Sequence, residues 1–339
     1  MAVDIKALFG EWFGDTFKDN ENRYVSYEVL SDFILEQHTD WNLAPDTEGL
    51  ARKFAAQLRD MPKREFAFLL CHTGYIPEVY KADSSQETLY TKLVEAVACE
   101  WAIRLGFTDS TLPTQKASKE DVTISDENKI IVCDAKSYRL GRSQAAPNVK
   151  DALKKGDITK WLSHYKADKR VGGLVTFPSQ HDWKNGSDFY LYLTDKNSPI
   201  VMLFYEHMAF MLLTGMEKQS LLNFFERHAE IFPNEETNKS GSRKVYFEKI
   251  TEHLLNTGVP SWNHFQPLAD YVVSEKVYHT KAWLDEHLTS EEAATRAWVD
   301  SLPVETLKEE LVAVRYQLDN QNLLRQRDNI LKFRKILKK

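Results

Sequence analysis

EDVTISDENKIIVCDAK, Glu120–Lys136, is the stretch on which the fold of this chain turns. Its two halves are short and rich in β-branched residues, and the polar Asp-Glu-Asn between them supplies a turn, so the pattern predicts two paired strands. Side chains alternate along a strand. Asp134 and Lys136 therefore share a face, and a paired strand can set Asp121 beside them. Phosphodiester hydrolysis needs such an arrangement: hard oxygen ligands hold Mg²⁺, while a lysine orients or deprotonates the attacking water and offsets charge on phosphorus. The Ala135 carbonyl, between the two side chains, is a further candidate metal ligand. The triplet alone is a weak signal, since a solvated strand face with an ion pair looks the same. The order around it adds weight: a helix carrying Glu87 and Glu95 comes before, an apolar strand runs into Asp134, and a basic segment follows.

Working outward, Ser84 or Ser85 with Glu87 in the first turn predicts a helix N-terminus, and LYTKLVEAVACEWAIRL continues it to Gly106. Upstream, YEVLSDFILEQ and LARKFAAQLRDM have helical spacing, and REFAFLLC is a short helix stopped by Gly74 and Pro77. Downstream, Arg142–Asn148 reads as a loop and Val149–Lys169 as a basic helical stretch. VGGLVTFPS and PIVMLFY read as strands, with a hairpin at Asn185 and Gly186 between them and a helix from Glu206 onward. Asn234–Lys244 is polar and glycine-bearing, the segment expected to be a mobile loop. Further helices end the chain, and the stripe Leu307, Leu311, Val314, Leu318 suits packing on a core or on a second subunit. The expected fold class is α/β, a central mixed sheet flanked by helices. It divides into a helical N-terminal extension (1–60), a core (61–233) and a helical C-terminal region (245–339).

A chain of 339 residues, 42% hydrophobic, can bury a full core, and no apolar run is long enough to cross a bilayer. Acidic residues stand near the start where a secretion signal would place basic ones, so a cytoplasmic location is expected. Cys71, Cys99 and Cys133 show no zinc-type spacing and read as reduced core thiols. The net charge of −6 carries no global basic signature, so any nucleic-acid surface must be local. Glu206 and His207 could be mistaken for a catalytic pair, but a satisfied histidine at a helix start is the commoner use.

The order helix, acid, hairpin, DxK, helix resembles the PD-(D/E)xK nuclease core. GYIPEVYKADSSQETLYTK (Gly74–Lys92), DAKSYRLGR (Asp134–Arg142) and FYEHMAFMLL (Phe204–Leu213) are similar to the HindIII family of type II restriction endonucleases, over about Pro62 to Leu307. The resemblance implies Asp121 as first metal carboxylate, Asp134 as second and Lys136 as catalytic lysine, with Glu87 at an acidic position of the family's helix and so in the catalytic set. Glu95 falls at another such position, although acids there more often serve as helix-dipole partners or surface charges. The segment after the active strand, RLGRSQAAPNVK (Arg139–Lys150), is where the family reaches into DNA. Arg139, Arg142 and Lys150 are the phosphate candidates, Gln144 and Asn148 the amides for adenine edges. Asn148 stands where the family has an acid, and Thr114 where a glutamate is expected. The resemblance further implies Mg²⁺, with Mn²⁺ able to substitute. It implies a homodimer cutting double-stranded DNA at a palindromic site to leave 5′ overhangs, and a cognate DNA methyltransferase as functional partner. A structure-selective or nicking repair nuclease of the same fold, and a DNA-binding protein with little turnover, remain open alternatives.

Overall fold

Strands β1 (Val122–Ser125) and β2 (Ile130–Ala135) form the antiparallel pair predicted from the Glu120–Lys136 stretch. Val122 lies opposite Cys133, and the Asp121 amide donates to the Cys133 carbonyl (3.0 Å), so the pairing carries on to bring Asp121 up to Asp134. The structure is a computed structural model that describes residues 4–113, 119–142, 149–180, 183, 192–193, 199–233, 242–256 and 261–333. Asn185 and Gly186 lie outside the described residues.

β2 is followed by α6 (Val149–Ala152) and α7 (Lys155–Ser163), then by β3 (Arg170–Phe177) and β4 (Ile200–Phe204). β2, β3 and β4 run parallel, giving a mixed four-stranded sheet in the order β1-β2-β3-β4. Two adjacent glycines on β3 show why helices cover both faces. A side chain at Gly173 would strike Ile158 of α7, and one at Gly172 would strike Phe225 of the helix Lys218–Glu226. Successive residues of a strand point to opposite sides, so each glycine admits one helix. β4 is buried along its whole length, the apolar run expected of a parallel strand covered on both faces.

α5 (Ser85–Leu105) packs against β1 and β2 and sets the height of the site. Ser84 is its N-cap and accepts from the Glu87 amide (3.3 Å), and Gly106, at φ +111°, closes it in the left-handed conformation. Leu93, Val94, Val97, Trp101 and Ala102 are fully buried.

Residues 4–60, within the expected N-terminal extension, share this core. They form α1 (Ile5–Trp12), α2 (Asn20–Gln37) and α3 (Thr47–Asp60), with α4 (Lys63–Cys71) after them. Phe13 and Phe17 meet Phe68 of α4 at ring separations of 5.2 and 4.3 Å, and Trp12 meets Phe265 at 4.9 Å. Arg23 of α2 forms a buried, two-pronged pair with Glu275 (2.6 and 2.7 Å), whose carboxylate also accepts from the Tyr27 hydroxyl (2.7 Å).

After β4 come α8 (Tyr205–Leu213), α9 (Lys218–Glu226), α10 (His228–Ile231) and α11 (Ser242–Ile250). The expected loop 234–244 therefore ends sooner than read. Ser242–Lys244 open α11, whose Tyr246 and Ile250 are fully buried and anchor the helix. The chain then divides into two units, Met1–Thr280 and Lys281–Lys339, along a long helix α12 (Trp262–Ser301). The second unit also holds α13 (Val304–Phe333), where Leu311, Val314 and Leu318 are 69, 50 and 66% exposed. The apolar stripe is thus a surface within this unit, not a core face. No helix among the described residues is long and apolar enough to cross a membrane.

Candidate active site

Hydrogen bonding at the open end of the β1–β2 pair fixes the acids. The Asp121 carboxylate accepts from the Ala135 amide (2.9 Å), which locks the first acid to the backbone between Asp134 and Lys136. Lys136 Nζ meets Asp134 Oδ1 at 2.7 Å, with the two side chains 19% and 4% exposed. The other oxygen of Asp134 is buried and has no hydrogen-bond partner among the described residues. Alternation along β2 thus delivers the shared face expected of Asp134 and Lys136.

These groups perturb one another. Burial drives the Asp121 carboxyl well above the usual carboxylate range, and the charges of Glu95 and Asp134 push the same way. For Lys136, burial works against the ammonium, but the Asp134 carboxylate outweighs it and the pKa lies above the usual lysine value. Crowded carboxylates that resist ionisation favour a cation.

Of the two helix acids, the structure brings Glu95 to this cluster and directs Glu87 elsewhere. Glu95 is buried on α5, held by Lys92 Nζ at 2.8 and 2.6 Å, and burial raises its carboxyl to about 6. Lys92 was missed in the sequence, although its spacing three residues before Glu95 on one helix face was a signal available there. Glu87 instead accepts from the Asp83 amide (2.6 Å) and pairs with Arg139 (3.1 Å). Those contacts belong to helix capping and to holding the following loop, because Glu87 lies in the first turn of α5, two turns before Glu95.

The start of the expected DNA-reading segment is tied down. Arg139 donates to the Pro77 carbonyl (2.9 Å), the Gly141 amide to Glu78 (2.9 Å), and Arg142 to the Arg139 carbonyl (3.0 Å). Gln144 and Asn148, like Thr114, lie outside the described residues, and Lys150 is placed on α6 by its backbone. His207 is buried, accepts from the Phe204 amide (3.4 Å), and is pushed down to about 3 by burial, as a satisfied neutral histidine would be.

A groove of about 480 Å³ borders the acids, lined by Arg52, Lys92, Glu95, Lys119, Glu120 and Asp121 among others. Among the described residues no set of three or more His, Cys, Asp or Glu side chains is arranged to hold a metal ion. A site here would rest on two carboxylates and a carbonyl.

A family model described as HindIII restriction endonuclease matches residues 38–305, which takes in the hairpin, α5 and every group of the acid cluster. The chain belongs to the HindIII restriction endonuclease family. Among curated proteins it is similar to "Type II restriction enzyme HindIII" of Haemophilus influenzae (strain ATCC 51907 / DSM 11121 / KW20 / Rd), 28% identical over 163 residues. That similarity covers 48% of this chain and 51% of the relative, so it spans about half of each. The HindIII-family match opens at residue 38, inside the segment 1–60, and stops two residues into α13.

Proposed function

We propose that this chain is a Mg²⁺-dependent type II restriction endonuclease with a PD-(D/E)xK core, cutting double-stranded DNA at a palindromic site to leave 5′ overhangs and 5′-phosphates. One observation carries the reading: Asp121, Asp134 and Lys136 converge at the end of the β1–β2 pair in a chain of this family. The donor set fits the cation. Asp134 presents a buried oxygen without a partner among the described residues, Asp121 is destabilised as an anion by burial and by its neighbours, and Ala135 would contribute a carbonyl. Mg²⁺ is commonly held by one or two carboxylates, with water and phosphate oxygens completing the shell. When bound, it would polarise the scissile phosphate and activate water; Mn²⁺ has the same oxygen preference.

The chain's own residues supply the rest. Lys136, kept as an ammonium by Asp134, orients the attacking water and offsets charge on phosphorus. Glu95, with Lys92 behind it, closes the acid cluster from α5 and is assigned to positioning water. Glu87 is assigned to holding Arg139. Arg139, Arg142 and Lys150 are assigned to phosphates, Gln144 and Asn148 to base edges. A palindromic site calls for a homodimer presenting one active site to each strand. A cognate methyltransferase would protect the host.

The test is to incubate long duplex DNA with the protein and Mg²⁺, beside Asp134→Ala and Lys136→Ala, and to sequence the ends. Discrete ends that both substitutions abolish support the proposal. Cutting confined to branched or flapped DNA would transfer the site to repair, and DNA binding with no cleavage in any divalent metal would reject it.

A further inference from the structure

A parallel ladder has a fixed bonding pattern, and the β2–β3 ladder breaks it at Lys136. Ala135 pairs with Thr176, and the Lys136 amide donates to the Thr176 carbonyl (3.0 Å), as the pattern requires. The next bond would run from the amide of residue 178 to the Lys136 carbonyl. Residue 178 is proline and has no N–H. The Lys136 carbonyl instead accepts from the Tyr205 hydroxyl (3.2 Å). Tyr205 is fully buried at the start of α8, and its hydroxyl oxygen in turn accepts from Thr176 Oγ1 (3.0 Å).

Gly74 completes the arrangement. It sits at φ +92°, and a Cβ there would lie 2.9 Å from Pro178 Cγ, 2.9 Å from the Tyr205 ring and 3.3 Å from the Lys136 oxygen. Beyond Lys136 the chain leaves β3. The Tyr138 amide donates to the Gly74 carbonyl (2.8 Å), and the Ile76 amide to the Tyr138 carbonyl (3.1 Å). Lys136 is therefore the pivot between two partners, and its backbone is fixed there by a side-chain hydroxyl.

We infer that Tyr205 is a positioning residue for Lys136: where Pro178 leaves the ladder without a donor, the Tyr205 hydroxyl holds the lysine's backbone so that the ammonium meets Asp134. The inference rests on the nuclease reading for its effect on cleavage, and on the hydrogen bonds alone for its effect on the fold. A donor supplied by a side chain takes the place of the backbone donor that the ladder lacks at this carbonyl. The partly buried carbonyl is thus not left unpaired.

The experiment compares wild type, Tyr205→Phe and Tyr205→Phe/Pro178→Ala in two measurements. The first is hydrogen exchange on metal-free protein without DNA, in peptides covering Ile76 and Tyr138. Tyr205→Phe should speed exchange there by about ten-fold while the β3–β4 peptides keep their rates. The second is single-turnover cleavage in Mg²⁺ beside DNA affinity in Ca²⁺. Tyr205→Phe should slow cleavage by about ten-fold at nearly unchanged affinity, and Pro178→Ala, which restores a backbone donor, should recover most of the loss. Unchanged exchange at Ile76 and Tyr138 overturns the inference. So does slowed cleavage that Pro178→Ala fails to relieve, since a general packing defect would behave that way. The exchange measurement needs neither metal nor DNA, so a failure of the nuclease reading is seen separately.

Discussion

Replacing Lys136 by methionine keeps most of the side-chain volume and removes the charge, which makes it a test of electrostatics before it is a test of catalysis. The ammonium lies 2.7 Å from Asp134 Oδ1, and the carboxylate it serves is 4% exposed with its second oxygen unpartnered. At an effective dielectric of about 20 the gross attraction is about 6 kcal/mol. Desolvation of the lysine offsets part of it, and removing one member of a buried pair costs about 3–5 kcal/mol in measured cases. A drop in thermal midpoint on the order of 10 °C follows for a unit of this size. The assay is thermal unfolding in EDTA of wild type, Lys136→Met, Asp134→Asn and the double variant. The single lysine variant should be the least stable, and the double variant should recover most of the loss, because it leaves no uncompensated charge. Mg²⁺ should then raise the midpoint of Lys136→Met more than that of wild type, since a cation at the carboxylates takes over the role of the missing ammonium. A Lys136→Met protein that melts within about 1 kcal/mol of wild type in EDTA, or a double variant showing simply additive losses, would refute the reasoning.

Further outcomes are expected at other residues. Arg23→Ala should cost about 3–5 kcal/mol by stranding Glu275, measured by denaturant unfolding. Burial works to raise the Glu275 carboxyl, but Arg23 and Tyr27 hold it below the usual range. Its stabilisation is thus present above the unfolded value of about 4.3 and lost as pH falls through the lower folded value, so the gap between wild type and Glu275→Gln should narrow below about pH 4. Gly74→Ala should lower both the thermal midpoint and the cleavage rate, given its left-handed backbone and its approach to Pro178 and Tyr205; an unaffected variant would show that this contact has slack. Glu87→Gln should weaken DNA affinity by no more than about five-fold, since its pair with Arg139 is partly exposed. Glu95→Gln should slow the chemical step, and the reverse result would return Glu87 to the catalytic set.

The hairpin and the lysine–aspartate face were legible because they depend on local rules, β-branching and two-residue alternation, that act within seventeen contiguous residues. The N-cap at Ser84 was legible for the same reason. Glu87 and Glu95 were not separable in one dimension. Both are acids on α5, and only the packing of that helix on β1 and β2 decides which one faces Asp121. Tyr205 lay beyond reach for a sharper reason: its link to Lys136 spans 69 positions and depends on a bond that Pro178 cannot make. The stripe on α13 was visible as a pattern, but periodicity does not say whether anything covers it.

The buried contacts of the first helices make the residues ahead of the family match part of the same core. The family match begins at residue 38, yet Phe9, Trp12, Phe13, Phe17 and Arg23, all before that point, are buried against Phe68, Phe265 and Glu275. Trimming back to the boundary of similarity would uncover a row of aromatic rings and strand the Glu275 carboxylate. The boundary of sequence similarity is therefore not a boundary of the fold, and a fragment that starts at residue 38 should lose stability as a whole.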